Sequence, residues 1–214
     1  MTHRDIEATD IQKATRAFDN EDSLTFLVVC TANVCRSFMA EHLLKKRLDE
    51  EGLASRIEVV SAGTQVVRYP EESDLAVQSA SRGALEVLAR RGILVERHRR
   101  RRVVPELLDQ ADLVLGMERM HFEEIVNLWP PARPKTFVLK EAALLAAQSP
   151  FETDALQERI KELDERRPDP MHALKLDRSI DVEDPIGGDP EFYEACASEI
   201  LASLDALLRH LVLF

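Results

Sequence analysis

The chain has 214 residues, 45% of them hydrophobic, and a formal net charge of −11 at pH 7. This length and apolar content predict one compact domain over residues 24–214, since no Gly/Ser-rich linker divides it. The acidic balance argues against binding to nucleic acid or to an anionic membrane surface, and no apolar run is long enough to span a membrane.

Residues 1–23 are polar and are predicted to be an N-terminal extension of that domain. Ile11, Ala14 and Phe18 stand at helical spacing, which is typical of a short docked helix. A disordered tail explains the same composition nearly as well.

The next stretch predicts a strand, a loop and a helix in close succession. The continuous apolar run at residues 26–29 is typical of a parallel strand buried on both faces. Apolar residues at helical spacing over 39–48 predict a helix that Gly52 ends. Cys30 therefore leaves the carboxyl end of a central strand, and Arg36 enters the first turn of the following helix. Open α/β sheets bind ligands at this place, and helix N-termini favour anions.

The residues of this loop suit phosphoryl transfer. A Cys-x5-Arg ring aims backbone N–H groups at one point and favours a nucleophilic thiolate at Cys30. Arg36 offers a planar fork for two phosphate oxygens, and the hydroxyl of Ser37 can donate to the sulfur. Asn33 suits a left-handed backbone position. Together they indicate a phosphocysteine intermediate, with the phosphoryl group bound by the loop residues Thr31, Ala32, Asn33, Val34, Cys35 and Ser37.

The stretch VVCTANVCRSFMAE resembles the signature of the low-molecular-weight protein tyrosine phosphatases. Two positions differ from that signature: Ala32 replaces a glycine and Phe38 replaces a proline. The resemblance covers roughly residues 24–142 and 181–211. It implies a four-stranded parallel sheet with helices on both faces, and hydrolysis without metal or other cofactor.

The second predicted strand ends in Ser-Ala-Gly-Thr, which also matches the family. The resemblance implies that Ser61 braces the loop asparagine, although from its own neighbours alone Ser61 is better explained as a turn residue. A basic run follows at residues 97–102. The family carries a supporting histidine near here, which makes His98 a candidate, while a solvated loop is the alternative.

Residues 111–117 predict a third strand, and His121 is predicted to lie on the surface of the helix that follows it. Residues 136–139 predict a fourth strand. Residues 143–180 exceed the family pattern and are predicted to be an inserted helical segment. The final helix, from Pro190, carries Cys196 on its apolar face, which predicts a core position for that thiol.

Ester cleavage requires an acid for the leaving oxygen, and three Asp-Pro pairs are present. Asp189 is explained as a helix N-cap before Pro190, and Asp169 lies in the inserted segment. Asp184 precedes the flexible Ile-Gly-Gly turn and matches the Asp-Pro-x-Gly-Gly motif in which the family carries its acid. Asp184 is therefore the predicted general acid.

The function predicted from this set is hydrolysis of phosphotyrosine in phosphorylated protein substrates. A protein-arginine phosphatase is the main alternative; an arsenate reductase and a noncatalytic phosphoresidue-binding module are weaker ones. In the family that the chain resembles, aromatic residues commonly form the walls of the substrate slot at the positions of Val67 and Ile186. Val34 stands where phosphoarginine-selective members carry threonine.

The three cysteines form no Cys-x2-Cys pair. This excludes the usual spacing of a zinc site and gives no disulfide framework. A reducing, cytoplasmic location is expected, since a catalytic thiolate requires it.

Overall fold

The structure is a computed structural model that describes residues 23–66 and 80–213. Its parallel sheet has the strand order β2-β1-β3-β4. The strands are β1 (Leu24–Cys30), β2 (Ile57–Gly63), β3 (Leu113–Gly116) and β4 (Thr136–Val138). All four lie where the apolar runs predict them, and the predicted fold class is confirmed.

Both faces of the sheet are buried. Phe26 and Val28 of β1 belong to one apolar cluster, and Leu27 and Val29 belong to another on the opposite face. Because successive side chains of a strand point to opposite faces, this double burial explains the unbroken apolar run in β1.

Helices follow the strands and cover the two faces. Within the described ranges the α-helices are α1 (Arg36–Glu50), α2 (Arg82–Arg90), α3 (Pro105–Gln110), α4 (Arg119–Leu128), α5 (Leu139–Ala146), α6 (Leu156–Glu165), α7 (His172–Lys175) and α8 (Pro190–Leu207). Turns of 3-10 helix cover Pro130–Lys135 and Arg178–Ile180, and a π-helical turn, Leu208–Leu213, extends α8. Helices α1, α2, α5, α6 and α8 contribute to the first cluster, and α3 and α4 to the second.

The predicted inserted segment, residues 143–180, packs against the β4 side of the sheet. Helix α6 buries Leu156, Ile160 and Leu163, which stand at helical spacing, in the first cluster. A third cluster joins Ala173 and Ile180 of the segment to Phe122 and Val138. The segment is thus attached to the main core. Its status as an insertion into the family pattern stays a prediction.

Three predictions fall wholly or partly on residues outside the described ones. The first is the helix or tail over residues 1–23, and the second is Val67 of the substrate slot. The third is a helix that the apolar spacing over residues 73–91 and the following Gly92 predict, whose described part is α2. Ser81 caps α2, since its hydroxyl accepts from the Ala84 amide at 3.2 Å. Among the described helices, none is both long and apolar enough to cross a bilayer.

Candidate active site

The loop between β1 and α1, residues 30–36, is called the thiol loop below. It begins where Cys30 pairs with Gly63 at the carboxyl end of β2. A Cβ on Gly63 would stand 2.6 Å from the Thr31 carbonyl oxygen, so only glycine allows this close approach. Asn33 has φ of 56° and is the one non-glycine residue with positive φ in the described part of the chain. The left-handed position predicted for Asn33 is therefore confirmed, and Ala32 has no such strain.

Asn33 is the buried anchor of the thiol loop. Its Nδ2 donates to Ser61 Oγ at 2.8 Å and to Ser37 Oγ at 3.0 Å, and its Oδ1 accepts from the Arg101 amide at 2.9 Å. Its carbonyl oxygen lies 2.8 Å from Nε2 of His98. The structure thus brings both predicted supporting residues, Ser61 and His98, to the loop asparagine.

His98 acts on the loop as a neutral donor. Burial lowers the pKa of His98 below its ordinary value, although its bond to the Asn33 carbonyl opposes this. A carbonyl oxygen only accepts, so the proton of the ring lies on Nε2. Phe38, which stands in place of the family's proline, is buried and packs on this ring with centroids 4.6 Å apart. The substitution therefore adds a contact that holds His98.

Ser37 is placed to serve the Cys30 sulfur in either protonation state. The two atoms Sγ and Oγ lie 3.0 Å apart, and Ser37 Oγ is also 3.2 Å from the Ala62 carbonyl oxygen. A neutral thiol donates to Ser37, whose own proton then goes to Ala62. A thiolate instead accepts that proton, while Asn33 continues to donate to Oγ. Ser37 can therefore hydrogen-bond to the sulfur in both states without moving a heavy atom.

Arg36 is 1% exposed and its guanidinium is fixed from several sides. Nη1 donates to the carboxylate of Glu118 and to the Val182 carbonyl at 2.9 Å, and Nη2 donates to Asp184 Oδ2 at 2.8 Å. Burial opposes the charge, but the Glu118 hydrogen bond and the carboxylates of Asp184 and Glu118 raise the pKa of Arg36. Its Nε is buried and has no hydrogen-bond partner among the described residues. Three of the five guanidinium N–H groups are used in these contacts, which leaves Nε–H and the second N–H of Nη2 for the oxygens of a bound anion.

Asp184 lies in an exposed turn at the same place. Its side chain is 36% exposed, and its Oδ1 accepts from the Ile186 amide at 3.2 Å. Gly187, with φ of 77°, completes the turn. Ile186 is 58% exposed beside the carboxylate. The structure therefore brings Asp184 to Arg36, 148 positions away in the sequence, at the end of the loop that begins with Cys30.

The other two Asp-Pro carboxylates are explained by local contacts. Asp189 Oδ1 accepts from the Phe192 amide at 2.8 Å and caps α8, as its position before Pro190 predicts. Asp169 pairs with Lys175 at 2.9 Å inside the predicted inserted segment.

The prediction that His121 lies on the helix surface is wrong. His121 is 0% exposed, and its Nε2 lies 3.0 Å from the hydroxyl of Thr31 in the thiol loop. Its Nδ1 accepts from the Glu118 amide at 3.0 Å. Burial, with the nearby charge of Arg36, lowers the pKa of His121 to about 3. The ring is therefore neutral, with its proton on Nε2 and directed to Thr31.

Sequence reasoning also missed Glu118, the carboxylate that pairs with Arg36. Glu118 and His121 both follow β3, which pairs with β1 in the sheet. Carboxyl ends of parallel strands meet at one edge, so a carboxylate two residues past β3 was the available signal.

The remaining predicted loop residues have the following places. Val34 is partly buried against the first cluster, and its carbonyl accepts from the Ser81 amide at 2.9 Å. Cys35 is buried, and its thiol lies 3.2 Å from Ser81 Oγ and 3.7 Å from the Tyr193 hydroxyl. Burial raises the pKa of Cys35. Val67 lies outside the described residues.

Comparisons with known proteins agree with this geometry. A model of the family described as "Low molecular weight phosphotyrosine protein phosphatase" matches residues 25–177. A putative low molecular weight protein-tyrosine-phosphatase of Klebsiella pneumoniae is 35% identical over 114 residues, which are 53% of this chain and 69% of that protein.

The chain is also similar to a relative that is named for a different substrate. A protein-arginine-phosphatase of Bacillus subtilis strain 168 is 36% identical over 118 residues, 55% of this chain and 71% of that protein.

Among solved structures, a low molecular weight protein tyrosine phosphatase from T. tengcongensis superposes with a TM-score of 0.63 at 30% identity. That match covers 87% of this chain and 99% of the other.

Proposed function

The chain belongs to the low molecular weight phosphotyrosine protein phosphatase family, hydrolases with a catalytic cysteine, and on this premise we propose that it hydrolyses phosphotyrosine in proteins through a phosphocysteine at Cys30. The observation that carries the proposal is the guanidinium of Arg36. It is buried, it is held by Asp184 and Glu118, and its Nε is left without a partner in the described part of the site.

The proposed first step forms a sulfur–phosphorus bond. The Cys30 thiolate attacks phosphorus in line with the ester oxygen, while Arg36 and the thiol-loop amides hold the phosphoryl oxygens. Asp184, in its protonated form, gives its proton to the leaving phenolate oxygen. The hydroxyl of Ser37 supports the sulfur before the attack and again when the sulfur leaves.

The proposed second step releases phosphate. A water molecule attacks the phosphocysteine, and the Asp184 carboxylate, now ionised, accepts its proton. The sulfur leaves as a thiolate. Each residue thereby returns to its starting state, and no metal or other cofactor takes part in the proposed steps.

Turnover of p-nitrophenyl phosphate in the presence of a metal chelator tests this proposal against a noncatalytic phosphoresidue-binding module. We expect release of p-nitrophenol, and we expect Cys30→Ser to abolish it while vanadate binding is retained. Cys196→Ser is the matched control, because that thiol is equally buried but lies on α8 and has a pKa raised by burial to about 12. Absence of turnover in the unmodified protein would contradict the proposal.

The choice of phosphotyrosine over phosphoarginine rests on the side chains that line the substrate slot and on the residue at position 34. Ile186 gives an exposed aliphatic wall beside Asp184, and Val67 is proposed as a second. Aliphatic walls bury a ring but give up aromatic stacking of about 0.5–1.5 kcal/mol. Val34 offers no hydroxyl to a guanidinium, and leaving buried N–H donors unpaired costs about 1–3 kcal/mol. The second effect is larger, so the balance favours phosphotyrosine.

Matched phosphotyrosine and phosphoarginine peptides test this choice. We expect a higher kcat/KM for phosphotyrosine, and we expect Val34→Thr to narrow the gap by about five- to tenfold, since one such hydrogen bond is worth about 1 kcal/mol or slightly more. Val34→Ala is the control, because it changes the size of the side chain without adding a hydroxyl. A preference for phosphoarginine in the unmodified protein would overturn the choice.

The remaining assignments follow from the same residues. We propose a single phosphatase domain over residues 24–214, with residues 143–180 inserted, and a cytoplasmic location, which the three free cysteines support. Phosphorylated proteins are the proposed partners. An arsenate reductase needs further cysteines to relay a disulfide, and Cys196, buried on α8 with a raised pKa, is poorly suited to that role.

A further inference from the structure

The turn that carries Asp184 is held in place by several contacts that have no part in the proposed mechanism. Residues 181–184, called the acid segment below, run along the end of β3. The Val182 amide donates to the Met117 carbonyl at 2.8 Å, and the Val182 carbonyl accepts from Arg36 at 2.9 Å. The Cys196 thiol lies 3.6 Å from the Glu183 carbonyl. The acid segment is therefore fixed to the end of β3, to Arg36 and to α8.

Arg119 makes the densest of these contacts. Its backbone amide donates to Asp181 Oδ1 at 2.9 Å, and its guanidinium donates to both oxygens of Asp181 at 3.2–3.3 Å. Its Nη1 also donates to the Leu176 carbonyl at 2.7 Å. The pair is mostly buried, with exposures of 23% and 16%. A bidentate ion pair of this kind fixes direction as well as distance.

The position of Arg119 relates the acid to the nucleophile. Arg119 is the first residue of α4, directly after β3, and β3 pairs with β1, which ends in Cys30. Asp181 stands three residues before Asp184. The ion pair between Arg119 and Asp181 therefore fixes the general acid relative to β3, and β3 pairs with β1, the strand that ends in Cys30.

A restraint on the backbone is needed because the carboxylate itself has to be free to change its charge. A general acid gives up a proton in one step and accepts one in the next. Arg119 pairs with Asp181, three residues before Asp184, and so restrains the backbone rather than the carboxylate of the acid. We infer that Arg119, through Asp181, is a positioning residue that holds Asp184 in line with the leaving oxygen. This inference rests on the proposed function, since it presumes that Asp184 is the acid.

A series of aryl phosphates with increasingly basic leaving groups tests the inference. Single-turnover phosphorylation rates are compared for the unmodified protein, Arg119→Met, Arg119→Lys and Asp181→Asn. We expect good leaving groups to react normally, and poor ones to lose about tenfold or more in Arg119→Met and Asp181→Asn, a part of the 10²–10⁴-fold that a general acid supplies. Arg119→Lys keeps the charge but not the fork, so we expect an intermediate loss. Inhibition by inorganic phosphate should be unchanged.

Arg133→Met is the matched control. Arg133 forms a bidentate pair with Asp164 at 2.7 Å, with exposures of 23% and 14%, but it lies before β4 rather than at the site. We expect it to lose stability without any dependence on the leaving group. Thermal melting of every variant identifies those that fail to fold, and Asp181→Asn, a change of one atom, keeps the test available if Arg119→Met does not fold.

A double variant separates this inference from the proposed function. In an Asp184→Asn background, Arg119→Met should add no further loss for poor leaving groups, because both changes remove the same contribution. A loss from Arg119→Met that is equal for all leaving groups, or that adds fully to Asp184→Asn, would overturn the positioning role. If Asp184→Asn itself shows no dependence on the leaving group, the assignment of the acid fails instead.

Discussion

At the scale of one residue, the burial of His121 keeps its ring neutral and so decides which ring nitrogen carries the proton that is donated to the thiol loop. The ring is fully buried, accepts at Nδ1 from the start of α4 and donates from Nε2 to Thr31. A charged ring would present a donor to another donor at Nδ1, so only the neutral form fits both partners. The low pKa of about 3 has the same consequence. His121 thereby ties the thiol loop to the end of β3.

Because His121 stays neutral in the folded protein, the stability of the protein depends on pH. The folded-state pKa of His121, about 3, lies below its ordinary value of 6.5. The unfolded chain therefore binds more protons between these values, and the contribution of His121 to stability falls as the pH drops through that window. We expect the stability difference between the unmodified protein and His121→Asn to shrink by about 1.6 kcal/mol from pH 6.5 to pH 5, because the unfolded histidine is half protonated at pH 6.5 and the slope approaches 1.36 kcal/mol per pH unit only below that.

Urea denaturation at the two pH values measures this difference, in which other titrating groups cancel. His172→Asn is the control, because His172 lies partly buried in α7, away from the thiol loop. A difference that stays constant with pH would show that His121 binds protons equally in the folded and unfolded chain, and would contradict a neutral buried ring.

At the scale of elements, residues 143–180 are joined to the sheet by one buried cation. Arg167 donates to both oxygens of Glu141 at 3.0 and 3.1 Å and to the Thr136 carbonyl at 2.6 Å, and both charged side chains are 1% exposed. The guanidinium also lies 3.8 Å from the centroid of the Phe137 ring. Arg167 thus connects the end of α6 to β4 and α5.

We expect Arg167→Met to lower the free energy of unfolding by about 3–5 kcal/mol, because it leaves the buried charge of Glu141 without its partner. Lys161→Met on the same segment is the control. Lys161 pairs with Glu158 in an exposed ion pair, with exposures of 67% and 54%, and such pairs contribute about 0–1 kcal/mol. Urea unfolding measures both changes. A small, equal effect of the two substitutions would mean that Arg167 does not hold the segment.

At the scale of the whole molecule, the strand order brings the ends of β1, β2 and β3 together. β1 lies between β2 and β3, so Gly63, Cys30 and the residues after Gly116 meet at one edge. The acid segment reaches the same edge from the other end of the chain. A single sheet therefore gathers nucleophile, guanidinium and carboxylate.

Local patterns in the sequence predicted the parts of this site that depend on neighbouring residues. The four strands, the left-handed Asn33 and the N-cap of α8 follow from runs, spacings and residue types over a few positions. The resemblance to a known family added Ser61, His98 and Asp184.

Contacts between distant residues were not predictable in the same way. Glu118 meets Arg36 across 82 positions and His121 meets Thr31 across 90. Periodicity reports which face of a helix is apolar, but a histidine between Met120 and Phe122 gives no sign of a partner in another loop. The burial of His121 and the clamp of Arg119 on Asp181 became visible only once the strands were ordered.

Trapping the intermediate tests the central claim most directly. The protein is mixed with excess p-nitrophenyl phosphate, quenched within the first turnover, digested and examined by mass spectrometry. We predict a phosphoryl group on the Cys30 sulfur, formed together with a burst of p-nitrophenol, and no phosphoryl group in Cys30→Ala. A phosphoryl group on any other residue, or turnover by Cys30→Ala, would contradict the account.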